Sequence, residues 1–135
     1  MPVKQIFVNL PVRDLQKSMD FFTKLGFSFN KQFTDQNAAC LVLGENIYAM
    51  LLKEEFFKTF TKKQVYDAQK GVEAINALAL ESKKAVDELA AKAVKAGGKP
   101  TQTRDYGSMY QKGFEDLDGH LWEVFFMEPS YVKKE

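Results

Sequence analysis

The hydrophobic residues of the chain recur with two different periods, and each change of period marks a boundary between predicted elements. Near the start, the stretch IFVNLPV alternates in the manner of a β-strand. Leu15, Met19 and Phe22 then recur at helical spacing, so the next stretch predicts an α-helix. Asp14 precedes this helix as a favoured N-cap residue, and Gly26 lies where the helix should end.

The second half of the chain repeats this order at a constant spacing. A strand-like stretch, INALAL, leads to Ser82 as the candidate N-cap, and the helical stripe that follows ends at Gly97, with Pro100 just beyond. Leu10, Val12 and Asp14 of the first half correspond to Leu78, Leu80 and Ser82. Three strand-sized segments follow each predicted helix: residues 27–33, 38–43 and 47–52, then residues 99–104, 109–115 and 121–127.

This repeat predicts an α+β fold in which a βαβββ module occurs twice. We assign module one to about residues 4–53 and module two to about 72–128, within a single domain of residues 1–135. An insertion of about residues 54–71 separates the modules. Three of its phenylalanines would share one side of a short helix: Phe56, Phe57 and Phe60. They either pack on the protein's own sheet or form a lid or a dimer contact.

Composition excludes several classes of protein. The 135 residues include 19 Lys+Arg and 18 Asp+Glu, a net charge of +1, so we expect no nucleic-acid partner. No apolar run approaches the ~18 residues that a membrane span needs, and no signal-peptide pattern opens the chain, so we expect no membrane partner. The single cysteine, Cys40, lies in the apolar stretch AACLVLG, which predicts a buried thiol in a cytoplasmic protein.

Two motifs near the ends of the chain resemble a known superfamily. One is F-V-x-L-x-V-x-D-L-x-x-S-x-x-F-F, from Phe7 to Phe22, followed by LGF; the other is E-D-x-D-G-H-x-W-E, from Glu115 to Glu123. Together they resemble the vicinal-oxygen-chelate superfamily of glyoxalase I, extradiol dioxygenases, fosfomycin-resistance transferases and bleomycin-resistance proteins. Within it, the chain is most similar to small bacterial proteins described as predicted lactoylglutathione lyases.

The resemblance implies a U-shaped cavity between paired modules, often completed by a homodimer, with a divalent metal held by residues of both modules. Carried over position by position, the metal ligands would fall at Phe7, at Ile75, near Ala49 and at Glu123, with Met50 as the other candidate for the third position. Only Glu123 keeps a ligand-type side chain. Because divalent sites commonly need three or more protein ligands, we predict no cofactor and regard a divalent metal as disfavoured.

The only imidazole, His120, lies in the predicted turn three residues before Glu123, where we interpret it as a structural residue rather than a ligand at the cavity mouth. Strand parity then predicts which side chains line the cavity. Phe7 and Asn9 share a face, as do Ile75 and Ala77 and as do Glu123 and Phe125. The loop that ends at Tyr110 is a candidate rim, although an ordinary surface connection is equally consistent with its composition.

A Glu123 carboxylate without a metal needs another partner, and Arg104, Tyr106 or Tyr110 could supply it. Glu123 is then a general base or a recognition group, or it has only a structural role. Two functions remain open. One is a protein that binds a small organic molecule in an apolar cleft, with the usual metal site mostly lost. The alternative is a lyase or isomerase of the lactoylglutathione-lyase type that acts on a small or thiol-conjugated metabolite, with Glu123 as the base.

Overall fold

The computed structural model describes residues 1–131, and the chain divides into two compact units, Met1–Tyr66 and the residues from Asp67 onward. Each unit contains a four-stranded mixed sheet with one main helix, so the α+β prediction with two βαβββ modules is confirmed. Within the described residues, no helix combines the length and the apolar character that a membrane crossing requires.

The first unit is built from four strands and two helices, whose order along the chain is β1 (Ile6–Val12), α1 (Leu15–Lys24), β2 (Ser28–Asn30), β3 (Ala38–Gly44), β4 (Ile47–Lys53) and α2 (Glu54–Phe57). Its strands lie in the order β1-β4-β3-β2, with β1 parallel to β4 and the other pairs antiparallel.

The second unit repeats this arrangement with β5 (Ile75–Ala79), α3 (Lys83–Lys95), β6 (Lys99–Asp105), β7 (Met109–Glu115) and β8 (Leu121–Met127). Its sheet has the order β5-β8-β7-β6, and β5 is parallel to β8. The central strands of each sheet are therefore contributed by the third and fourth strands of its module.

Both main helices begin and end where the sequence predicts. The side chain of Asp14 accepts a hydrogen bond from the backbone N–H of Lys17 at 3.0 Å, and Ser82 accepts one from Ala85 at 3.0 Å, so each N-cap satisfies one free N–H of its helix. Gly97 follows α3 with φ of +111°, a left-handed conformation that glycine adopts without a steric penalty.

The stretch predicted as a strand over residues 27–33 is only partly extended. Strand β2 stops at Asn30, and residues Lys31–Phe33 form a short 3-10 helix. The cause is local: the Asn30 side chain accepts from the backbone N–H of Gln32 at 3.0 Å and so turns the chain. The strand prediction was wrong there because the spacing of apolar residues does not reveal a turn that a polar side chain stabilises.

The insertion is helical at its start, since α2 continues into a 3-10 helix over Lys58–Phe60. Phe56 and Phe60 meet edge to face with ring centroids 5.1 Å apart, and Phe56 and Phe57 are half-buried. Helix α2 contacts β1 and β4, which fits the interpretation that these two rings pack on the first unit's own sheet. Phe60 is 69% exposed and does not share their burial.

Candidate functional site

The two faces of the second sheet differ in what covers them. Phe114, Trp122 and Val124 are fully buried and lie on the face that packs against α3. The other face, which we call the open face, carries the alternate residues of each strand. On β5 these residues are exposed: Ile75, Ala77 and Ala79. Trp122 therefore lies in the core beneath the helix, on the face opposite Glu123.

Glu123 lies on the open face between Ala77 of β5 and Gly113 of β7, its two cross-strand partners. Two residues from Gly113 along β7, and on the same face, Gln111 pairs with Phe125. The Gln111 side-chain N–H donates to Glu123 Oε2 at 2.8 Å, a bond to an ionised acceptor of the stronger kind. Gln111 was not predicted as the partner of this carboxylate, because a diagonal contact across two strands leaves no local signal in the sequence.

Arg104 of β6 is the cross-strand partner of Gln111, so it lies on the same open face. Its Nε and Nη2 donate to Gln102 Oε1 at 2.8 and 2.6 Å, and its Nη1 donates to Tyr106 Oη at 3.1 Å. The Tyr106 hydrogen bond raises the pKa of Arg104, and the negative charge of Glu123 also raises it. The guanidinium is therefore held in one orientation while remaining exposed, and its charge interacts with Glu123.

At Gly113, which has no side chain, a residue of the neighbouring strand β6 comes close to the middle of the open face. A Cβ at this position would overlap the Thr101 side-chain hydroxyl, so Thr101 occupies the space that any larger residue would need. The Thr101 hydroxyl thus lies directly over the strand position opposite Glu123. The open face combines small or apolar side chains with a few fixed polar groups, which is the usual composition of a small-molecule site.

Tyr110 does not share this face. Its hydroxyl donates to Asp87 Oδ1 of α3 at 2.6 Å, and Lys112 Nζ forms an ion pair with the same oxygen at 3.0 Å. The Asp87 bond raises the pKa of Tyr110, and the Tyr110 hydroxyl is the main cause of a lowered pKa at Asp87. Tyr110 therefore helps to attach α3 to the sheet, and we do not include it among the proposed ligand contacts.

In the first sheet, Phe7 pairs with Tyr48 and Asn9 pairs with Met50. The rings of Phe7 and Tyr48 stack with centroids 4.7 Å apart and planes 10° apart, and Phe7 is 41% exposed. Asn9 stands on the same face, since it is two residues further along β1.

This register corrects the alignment that placed the third ligand position at Ala49. Phe7 corresponds to Ile75, and Ile75 pairs with Leu121, whereas Phe7 pairs with Tyr48. Counting along β4 and β8 from these pairs makes Met50 the counterpart of Glu123. Ala49 is instead the counterpart of Trp122: it is fully buried and lies on the face opposite Phe7. The sequence could not distinguish the two because strand β3 contains a bulge after Val42, just before the turn into β4.

The positions implied by the resemblance lack the donor atoms of a divalent metal site. Phe7 and Ile75 carry no donor atom, and a Met50 thioether is a poor ligand for hard or borderline cations. Glu123 is the one carboxylate of the set. Among residues 1–131, no three His, Cys, Asp or Glu side chains are grouped closely enough to hold a metal ion. The residues present do not fit the metal that the resemblance implies.

His120 belongs to a tight turn between β7 and β8. Its backbone N–H donates to Asp116 Oδ1 at 3.0 Å, as does the backbone N–H of Asp118, and Trp122 Nε1 donates to Asp116 Oδ2 at 3.0 Å. Burial raises the pKa of the Asp116 carboxyl, and the charge of His120 and the Trp122 hydrogen bond oppose that rise. The interpretation of His120 as a structural turn residue fits these bonds.

Cys40 is fully buried in β3, as predicted from its apolar stretch. Burial raises the pKa of its thiol, which lowers the fraction of reactive thiolate near neutral pH. Cys40 therefore fills space in the first sheet and takes no part in the candidate site.

The chain belongs to the glyoxalase, bleomycin-resistance protein and dioxygenase superfamily, since a profile of that superfamily matches residues 4–124. This result confirms the resemblance found in the two end motifs. No curated protein sequence matches the chain significantly.

Solved structures with this fold cover nearly all of the chain. A hypothetical protein of S. aureus, SA1046, is 26% identical with a TM-score of 0.78, covering 93% of this chain and 95% of that one. A glyoxalase-related enzyme of Fulvimarina pelagi is 18% identical with a TM-score of 0.78, covering 92% and 88%. The fosfomycin resistance protein FosX of Mesorhizobium loti is 14% identical with a TM-score of 0.69, covering 96% and 97%. The last two similarities show a shared fold.

Proposed function

We propose that this protein binds a small organic molecule on the open face of its second sheet and that the superfamily's divalent-metal site is lost. One observation carries the proposal: Glu123, the only ligand-type residue at the implied metal positions, accepts a hydrogen bond from the Gln111 amide at 2.8 Å. An amide donor stabilises an ionised carboxylate without a cation, so Glu123 has a partner that suits a metal-free site.

The side chains around Glu123 support binding of an organic ligand. The exposed small side chains of Ala77 and Ala79 lie beside it, and Phe125 supplies a half-buried aromatic surface. Arg104 and Gln111 add fixed hydrogen-bonding groups. Ile75 lies on the same open face and is a further proposed contact. Phe7 and Asn9 belong to the first sheet, where ligand contact stays a separate prediction. Apolar side chains with a few placed polar groups are the usual composition of a small-molecule site.

Ligand binding is tested by a fragment screen monitored through backbone amide chemical shifts. We expect fragments with dissociation constants of about 1 mM or tighter to shift the amides of Gln111, Gly113 and Glu123. Shifts confined to the amides of α3, or no shift at the open face with any fragment, would contradict the proposed site. The Asp87→Asn variant, altered on the other face of the sheet, serves as the control and should bind the same fragments.

Loss of the metal site is tested by calorimetric titration of metal-stripped, untagged protein with Ni²⁺, Zn²⁺, Mn²⁺ and Fe²⁺. A single carboxylate holds a divalent ion weakly, so we expect no stoichiometric binding tighter than about 0.1 mM. Tight one-to-one binding that Glu123→Gln abolishes and Glu115→Gln preserves would overturn this expectation. That outcome would favour the lyase or isomerase function with Glu123 at a metal centre.

A further inference from the structure

The charges on the open face of the second sheet define a ligand class, and this inference rests on the proposed function. Arg104 and Glu123 lie on the two strands that flank β7 and are offset by two residues along the strands, so their backbones are roughly 12 Å apart. Both are long side chains, and the negative charge of Glu123 acts on the guanidinium of Arg104. The strand between them carries Gly113 directly opposite Glu123, so this position places no side chain of its own between the two charged groups.

The hydrogen bonds of Arg104 leave a defined part of its guanidinium for a ligand. Arginine has five N–H donors, of which Gln102 accepts from two nitrogens and Tyr106 from a third. The side of the guanidinium at Nε and Nη2 is therefore engaged by Gln102, and one N–H on each terminal nitrogen remains. These two N–H groups can donate charge-assisted hydrogen bonds to a carboxylate or a similar oxyanion.

The Glu123 carboxylate also has acceptor capacity left for a ligand. Gln111 donates to Oε2, and a carboxylate has further lone pairs on both oxygens for additional donors. The carboxylate is half-buried, so an ammonium group of a ligand can reach it. A purely anionic ligand at Arg104 would be repelled by Glu123, and a purely cationic ligand at Glu123 would be repelled by Arg104.

We propose that the open face binds zwitterionic molecules of the amino-acid type, with the anionic group on the remaining N–H groups of Arg104 and the ammonium group on Glu123. The apolar part of such a ligand would contact Phe125 and the alanines of β5, Ala77 and Ala79. Thr101, whose hydroxyl lies over Gly113, provides a hydrogen-bonding group between the two charges. The site therefore selects for two opposite charges on one molecule rather than for either charge alone.

The test compares probes that share one skeleton and differ in which charged group is blocked. L-Phenylalanine, N-acetyl-L-phenylalanine and L-phenylalanine methyl ester are zwitterionic, anionic and cationic forms of one skeleton. The same three forms of 6-aminohexanoate cover a wider charge separation. Amide chemical shifts of Arg104, Gln111 and Glu123 report binding. For at least one skeleton we expect the zwitterion to bind at least tenfold more tightly than either blocked form.

Two variants assign the charges to the residues. Arg104→Gln should lower zwitterion affinity to that of the methyl ester, and Glu123→Gln should lower it to that of the N-acetyl form. Lys99→Gln and Glu115→Gln make the same charge changes elsewhere on β6 and β7, and they should leave the tenfold preference intact.

Several outcomes would overturn this assignment. They are equal binding of all three forms of both skeletons, a preference for the anion or the cation alone, or no binding of either zwitterion. If fragments of other chemistry still shift the amides of the open face, the zwitterion inference fails and the proposed function stands. If no fragment of any kind shifts them, the proposed function itself fails.

Discussion

Asp116→Ala is expected to lower the free energy of unfolding by about 3 kcal/mol or more. Asp116 is 7% exposed and accepts hydrogen bonds from the backbone N–H groups of Asp118 and His120 and from Trp122 Nε1. Alanine leaves all three donors without this acceptor in a buried turn, and an unsatisfied buried donor costs about 1–3 kcal/mol. Such a loss is a large part of the total stability of a small protein.

Urea unfolding followed by tryptophan fluorescence measures this effect, because Trp122 is the only tryptophan and is 1% exposed. Asp116→Asn is the informative second variant, since its amide oxygen can still accept from the two backbone groups while its N–H₂ would face the Trp122 donor. We expect it to be less destabilising than alanine. Asp20→Asn changes an exposed carboxylate by the same charge and should have almost no effect.

A double-mutant cycle separates the Trp122 bond from the rest of the turn. In a Trp122→Phe background, followed by far-UV circular dichroism, Asp116→Asn no longer opposes two donors, so its cost should fall by about 1 kcal/mol. Equal costs of Asp116→Asn in both backgrounds would mean that the Trp122 bond contributes nothing. A neutral Asp116→Ala would contradict the structural role of the carboxylate altogether.

Gly119→Ala is expected to lower the free energy of unfolding by about 3 kcal/mol, for two additive reasons. Gly119 has φ of +91°, which costs an alanine about 1–2 kcal/mol. A Cβ there would also lie 2.9 Å from the backbone nitrogen of Gln69 and 3.0 Å from the carbonyl carbon of Ala68. Because these are backbone atoms, the segment that contains them would have to move, at a further cost of about 1–3 kcal/mol.

Gly107 provides a matched control for the conformational part of this cost. It has φ of +78°, and a Cβ added there would meet no heavy atom within 4 Å, so Gly107→Ala should cost only the conformational part, about 1–2 kcal/mol. The same urea unfolding experiment compares the two variants. Equal losses at both positions would show that the chain at Gln69 does not pack against Gly119 as described.

These expectations concern the same motif, E-D-x-D-G-H-x-W-E, and they explain why it identifies a fold better than an activity. Asp116 stabilises the turn through its hydrogen bonds, and Gly119 leaves room for the segment at Gln69. Trp122 is buried in the core. Its last residue, Glu123, lies on the open face. Most of the motif therefore serves folding, and the chemistry of the site depends on residues outside it, such as Gln111 and Arg104.

The boundaries of the second sheet illustrate what could be predicted. The segments 109–115 and 121–127 were predicted from alternation and turn residues alone, and the structure has the same bounds for β7 and β8. Ala49 illustrates what could not. Its assignment required the register between β1 and β4, which depends on a bulge in β3 and on a parallel pairing between strands far apart in sequence.

The sequence by itself determined the repeated module, the N-caps Asp14 and Ser82, the ends of both helices and the lack of fitting metal donors at Phe7 and Ile75. These depend on local interactions or on side-chain chemistry, which a sequence states directly. Only the tertiary structure decided that Gln111 is the partner of Glu123, that Arg104 shares their face and that Tyr110 does not. Cross-strand register decides those contacts, and a shift of one residue would move each side chain to the other face of the sheet.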